Sequence, residues 1–167
     1  ANSGSVYVFT RSESTWTQQA RLVASNAAEA YRFGRSVAIE DDTVIVTTGS
    51  NVAINNDTVV VGAPHENNGD VTDSVYAFHR IGSEWIEQDL HHGEDDMGVS
   101  PQNPTGSACI FTRNNNEWNK QAVLLASDGA SNDRFGASVA ISGETILVGA
   151  PSARYKNQRI GAAYVFV

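Results

Sequence analysis

Four stretches of this chain are versions of one strand: Ser5-Val-Tyr-Val-Phe9, Ser74-Val-Tyr-Ala-Phe78, Ser107-Ala-Cys-Ile-Phe111 and Ala162-Ala-Tyr-Val-Phe166. A tryptophan follows the first three phenylalanines at one constant distance, Phe9 to Trp16, Phe78 to Trp85 and Phe111 to Trp118, and three residues beyond each stands a glutamine, Gln19, Gln88 or Gln121. A second block recurs as Ser36-Val-Ala-Ile39, Asn51-Val-Ala-Ile54 and Ser138-Val-Ala-Ile141, each followed across a polar link by Thr43-Val-Ile-Val46, Thr58-Val-Val-Val61 or Thr145-Ile-Leu-Val148. Two of these end in Gly-Ala-Pro, at 62–64 and 149–151, and Arg32-Phe-Gly34 and Arg134-Phe-Gly136 each precede a Val-Ala-Ile strand. A chain that repeats one supersecondary unit buries the apolar faces of each unit against its neighbours, so the repeat constrains the fold more than composition does.

The unit reads as β-structure. The Val-Ala-Ile and Thr-Val-Val-Val runs are β-formers joined by Glu40-Asp-Asp42, Asn55-Asn-Asp57 or Ser142-Gly-Glu144, links whose Asn, Asp and Gly tolerate hairpin backbone. In the Tyr-Val-Phe strands the aromatics share one face and Val, Ala or Ile the other, which predicts burial on both sides. The tryptophan strand alternates, with Trp118, Ala122 and Leu124 expected on one side and Asn119 and Gln121 on the other. Inner strands covered on both faces and a more polar outer strand are what a propeller blade requires. The expectation is an all-β fold over 1–167, built of four-stranded antiparallel β-propeller blades, about three in number, forming part of a larger or oligomeric propeller. Both termini read as cut from a longer polypeptide. The unit is complete from Phe111 to Phe166, whereas the stretch from Phe9 to Phe78 carries an extra hairpin at about 51–61 and that from Phe78 to Phe111 lacks one, with an irregular region at 86–105.

The Phe-Gly and Gly-Ala-Pro signatures resemble the FG-GAP repeat of integrin α-subunit propellers. The tryptophans, the Arg-Phe-Gly and the short Ser-Gly-Glu hairpin are most similar to the bacterial and marine-microbe branch of that family. The resemblance implies an extracellular or cell-surface β-propeller for adhesion, recognition or scaffolding, without catalytic activity. It also implies a calcium loop between the two strands joined after Val-Ala-Ile. Here that link has two or three residues, too few for the ~6–8 oxygen ligands calcium takes, so the family's site does not carry over to 40–42, 55–57 or 142–144.

A net charge of −8 opposes a phosphate backbone, and nucleic acid is not an expected partner. No apolar run approaches the ~20 residues of a membrane-spanning helix, and no basic and apolar leader opens the chain. The single cysteine, Cys109, lies in an apolar strand and is expected to be buried and inert.

Glu66, Asn68, Asp70 and Asp73 form the candidate metal site, with oxygens at alternate positions around Gly69 and calcium as the cation they suit; a solvated polar turn is the competing reading. Asp128-Gly-Ala-Ser-Asn-Asp133 also offers carboxylates, but Asx-type bonds to its own backbone amides are the favoured expectation. His91, His92, Glu94, Asp95 and Asp96 carry zinc-ligand types without supporting spacing. His65 and His79 have no partner visible in the sequence. Tyr7, Tyr76 and Tyr164, with the tryptophans, are expected in the blade core and not in a sugar site. Asn56-Asp-Thr58 matches a glycosylation acceptor at a tight turn. No serine sits in a Gly-x-Ser-x-Gly elbow and no glycine loop resembles a nucleotide cradle. The expected partners are a protein or glycan ligand, or other copies of the chain, the last through edge strands of incomplete propellers that pair into a ring or filament.

Overall fold

The computed structural model describes residues 4–25, 32–49, 51–63, 74–92, 105–115, 117–156 and 158–167, with the side chains of 89–92 outside the description. The strands are β1 (Val6–Ser12), β2 (Thr15–Leu22), β3 (Ser36–Glu40), β4 (Thr43–Thr47), β5 (Asn51–Asn55), β6 (Thr58–Ala63), β7 (Ser74–Ile81), β8 (Glu84–His92), β9 (Ser107–Asn114), β10 (Glu117–Leu124), β11 (Ser138–Ser142), β12 (Thr145–Ala150), the short β13 (Arg154–Tyr155) and β14 (Gln158–Arg159), and β15 (Ala162–Phe166). The three expected Val-Ala-Ile hairpins form as β3–β4, β5–β6 and β11–β12. The first residue of each tight link, Asp41, Asn56 or Gly143, takes a positive φ of 47–56°, which Asn, Asp and Gly adopt at least cost.

All pairing within the blades is antiparallel. Two sheets have four strands, β3-β4-β7-β8 (blade I) and β5-β6-β9-β10 (blade II); β11-β12-β15 forms a three-stranded blade III, and β1-β2 stands as a separate hairpin. The hairpin that looks surplus at 51–61 fills the place that looks empty before Ser107. β4 pairs with β7, matching Val46 with Tyr76, and β6 pairs with β9, matching Val61 with Cys109. Blades I and II are therefore interleaved: both inner hairpins come first in the chain and both outer hairpins follow. Only blade III is built locally, with β15 returning onto β12.

The sheets stack face to face with one polarity. Val8 and Leu22 of the hairpin meet Val44, Val46, Tyr76 and Phe78 of blade I. The other side of blade I, Ile45, Val75 and Ala77, meets Val59, Val61, Cys109 and Phe111 of blade II. The far side of blade II, Val60, Ala108 and Ile110, meets Ile146, Val148, Tyr164 and Phe166 of blade III. At each contact the Val/Ala face of one sheet receives the Tyr/Phe face of the next. Cys109 is buried, as expected.

Two expectations need correction. Trp118 and Ala122 do not share a face: Trp118 and Val123 point to blade I, Ala122 and Leu124 to blade III. The register slips between Lys120 and Ala122, so Gln121 is an extra residue that flips the alternation. Gln19 occupies the same kind of irregularity in β2. Burial of the repeated aromatics is also not uniform. Tyr76 is buried, but Tyr7 and Trp16 are exposed, because no sheet among the described residues covers that side of the hairpin.

Candidate functional site

Antiparallel connectivity sorts the links by length. The tight turns within hairpins lie at one end of the stack, and the segments that join hairpins start and finish at the other. At the turn end the blades are bonded to one another. Arg80 Nε donates to Asp42 Oδ1 at 2.6 Å in blade I, and Arg113 Nε to Asp57 Oδ1 at 2.9 Å in blade II. The backbone repeats the pairing: the N–H of Arg80 and of Arg113 each donates to the carbonyl of the same aspartate at 2.8 Å. Arg113 also reaches across to blade I, donating to Thr43 Oγ1 at 3.2 Å and to His79 Nδ1 at 3.4 Å, while its guanidinium lies 5.5 Å from the Trp118 ring centre. Asn55 Oδ1 accepts from the Gly143 N–H at 3.0 Å and links blades II and III. This end is committed to cohesion.

At the other end the Phe-Gly turns key blade I into the hairpin and blade III into blade II. Phe33 stacks edge-on to Tyr76 and Phe78 of its own blade, with ring centres 5.2 and 6.0 Å away. Phe135 does the same to Tyr164 and Phe166 at 5.2 and 6.2 Å. Both rings are buried. The glycine behind each must be bare. A Cβ on Gly136 would run into the Ser107 carbonyl and the Ala63 amide of blade II, and one on Gly34 would press on Ser5 and Val6 of the hairpin. The seats are repeat-equivalent, at Gly4-Ser5 and Gly106-Ser107. The third, at Gly161-Ala162 of blade III, is an open depression of about 660 Å³ lined by Ser138, Gly149, Ala150, Pro151 and Ala163 among others.

In the acidic loop before Phe135, Asp133 bonds a backbone amide of the loop as expected, whereas Asp128 bonds a side chain of blade III. Asp133 Oδ2 accepts from the Ala130 N–H at 2.8 Å, and Asp128 Oδ1 accepts from the Tyr164 hydroxyl at 2.8 Å. Burial, reinforced by the Asp128 hydrogen bond and the negative charges of Asp128 and Asp133, pushes the Tyr164 phenol up to about 12. Asp133 is buried, and its Oδ1 has no hydrogen-bond partner.

The candidate calcium residues Glu66, Asn68, Asp70 and Asp73 lie outside the described residues, as do His65, Glu94, Asp95 and Asp96 and the side chains of His91 and His92. Among the described residues no group of three or more His, Cys, Asp or Glu gathers as a metal site would require. His79 has partners after all, Thr43 and Arg113.

One surface element escapes the repeat altogether. Between β12 and β15 the chain forms the small β13–β14 hairpin, pairing Arg154 with Arg159 and Tyr155 with Gln158. Arg154, Tyr155, Lys156, Arg159 and Ile160 are all exposed on it, and the Lys156 ammonium sits 5.4 Å from the Tyr155 ring centre. Three cations beside an exposed aromatic make a basic tip on an acidic protein. The run Arg154-Tyr-Lys-Asn-Gln-Arg159 was its signal in the sequence.

A family model described as FG-GAP repeat matches residues 16–48 and 118–166. The unmatched stretch between them holds β5 to β9, the middle of the interleaved blades. No curated protein and no solved structure matches the chain.

Proposed function

Because this chain belongs to the FG-GAP repeat family, we propose that it is a non-catalytic recognition or scaffold module, acting outside the cell or at its surface, whose β13–β14 tip contacts an anionic protein or glycan. FG-GAP repeats occur in adhesion and recognition modules such as integrin-like proteins. The observation that carries the reading is the exposed Arg154, Tyr155, Lys156 and Arg159 cluster on the β13–β14 hairpin. Cations and an aromatic that ride on a surface hairpin suit carboxylate or sulfate groups, with the ring offering a stacking face. Calcium at Glu66, Asn68, Asp70 and Asp73 belongs to the same proposal.

Binding of the chain to immobilised heparin and to polyglutamate tests it. The expected result is retention that weakens with salt, as screening requires, and that is lost in the Arg154→Ala/Lys156→Ala/Arg159→Ala variant. Equal retention of that variant, or no retention at low salt, contradicts it. Calcium should raise the melting temperature of the chain and not that of Asp70→Asn/Asp73→Asn; an unchanged melting temperature removes the calcium site.

A further inference from the structure

The three sheet contacts inside the chain obey one rule, and the two outermost faces are its unmatched halves. Within the stack, a Val/Ala face always receives a Tyr/Phe face. Among the described residues nothing covers the Val/Ala face of blade III or the Tyr/Phe face of the β1–β2 hairpin. The burial contrast is direct. Val60 and Ile110 on the Val/Ala face of blade II are 0% and 9% exposed, whereas their counterparts on blade III, Leu147 and Val165, are 44% and 62% exposed. Tyr76 and Phe78 on the Tyr/Phe face of blade I are 2% and 3% exposed, whereas Tyr7 and Phe9 on the hairpin are 49% and 52% exposed. Trp16 completes that second patch at 65% exposure, while Trp85 and Trp118, its counterparts, pack against the cores.

We infer that blade III docks on the β1–β2 hairpin of a second copy of this chain, head to tail and face to face, extending the internal stacking across molecules. The partner is a second copy because each molecule carries both complementary surfaces, already matched in chemistry to a contact the fold makes three times. A Phe-Gly turn is not required for the match: blade II is led by Thr47-Thr48-Gly49 and still seats on blade I. Edge-to-edge strand pairing is not involved. The two surfaces differ, so the contact is heterologous, and it propagates until a ring closes or a filament grows. Large exposed apolar patches on otherwise polar proteins mark such contacts. This inference is independent of the ligand-binding tip, since self-association is read without ligand.

The test is light scattering on the whole 167-residue chain, with Val165→Asp and Phe9→Asp placed on the two faces. Both positions are more than half exposed in the single molecule, and far-UV circular dichroism with a urea midpoint checks that each variant is folded. The wild type is expected at twice the 17.9 kDa chain mass or more, and each variant at the monomer mass. Mixing the two variants then decides the geometry. Val165→Asp retains an intact hairpin face and Phe9→Asp an intact blade III face, so the mixture should form a one-to-one pair. A wild type that stays monomeric, variants that associate like the wild type, or a mixture that remains monomeric overturns the inference.

Discussion

Phe135→Ala should be among the most damaging single substitutions in this chain. The ring is 0% exposed, stacks edge-on to Tyr164 and Phe166, and sits in the cluster that joins blade II to blade III. Truncating a buried phenylalanine costs about 3–5 kcal/mol through lost transfer energy and the cavity left behind. Two aromatic contacts, each worth roughly 0.5–1.5 kcal/mol beyond burial, place the loss in the upper part of that range, about 5 kcal/mol. A domain stable by roughly 5–15 kcal/mol loses much of its margin to such a change. The assay is urea unfolding followed by circular dichroism, with the slope checked so that a midpoint shift reads as stability. Phe9→Ala, at a protein concentration low enough to keep the chain monomeric, is the internal control. Its ring is half exposed, and the expected loss is below about 1 kcal/mol. A loss under about 1 kcal/mol at Phe135, or an equal loss at the two sites, would refute the argument that the Phe-Gly turn locks neighbouring blades.

Two further outcomes follow from the same geometry. Gly136→Ala should destabilise by about 2 kcal/mol or more, since its φ of 90° and its contact with Ser107 both exclude a Cβ; Gly143→Ala, with open space around a φ of 56°, should cost about 1–2 kcal/mol, and unfolding midpoints compare them. Tyr164 should ionise near 12 in the folded chain, later than an ordinary tyrosine, and Asp128→Asn should bring its spectrophotometric titration down. Its folded pKa is raised above the unfolded value of about 10, so its stabilising contribution is present below pH 10 and fades as pH rises towards 12. A Tyr164→Phe variant should lose that part of the alkaline dependence; an unchanged pH profile would contradict it.

The sequence made the repeated strands, the tight turns and the burial of Cys109 legible, because each depends on local spacing and side-chain type. Interleaving was not legible. The hairpin at 51–61 looks the same whether it pairs with Tyr76 or with Cys109, and only the competition among long-range pairings places it. The side assignment of Trp118 failed for a related reason, since one extra residue at Gln121 reverses the alternation without altering composition. Tyr7 and Trp16 carry the sequence of core residues yet lie at the surface, because burial there depends on a sheet that the described chain does not supply. At the functional level, the Asx-type bonding of Asp133 was readable from its loop. The pairs Arg80–Asp42 and Arg113–Asp57 were not, although the recurrence of arginine two residues after Phe78 and Phe111 was a usable signal.

The interleaved order of blades I and II is the central structural claim, and a single new cysteine tests it. Val61 on β6 stands directly opposite Cys109 on β9. Opposed residues of an antiparallel pair have Cα atoms about 4.5–5.5 Å apart, within the span a disulfide bridges. Val46 pairs instead with Tyr76 on β7. Oxidative refolding followed by peptide mapping of Val61→Cys should therefore yield a disulfide within one chain between the introduced thiol and Cys109. The same treatment of Val46→Cys should yield no bridge to Cys109. A Val61→Cys chain whose two thiols stay unlinked, or a Val46→Cys chain that bridges to Cys109 as readily, would show that β6 does not pair with β9 and that the blades are assembled in another order.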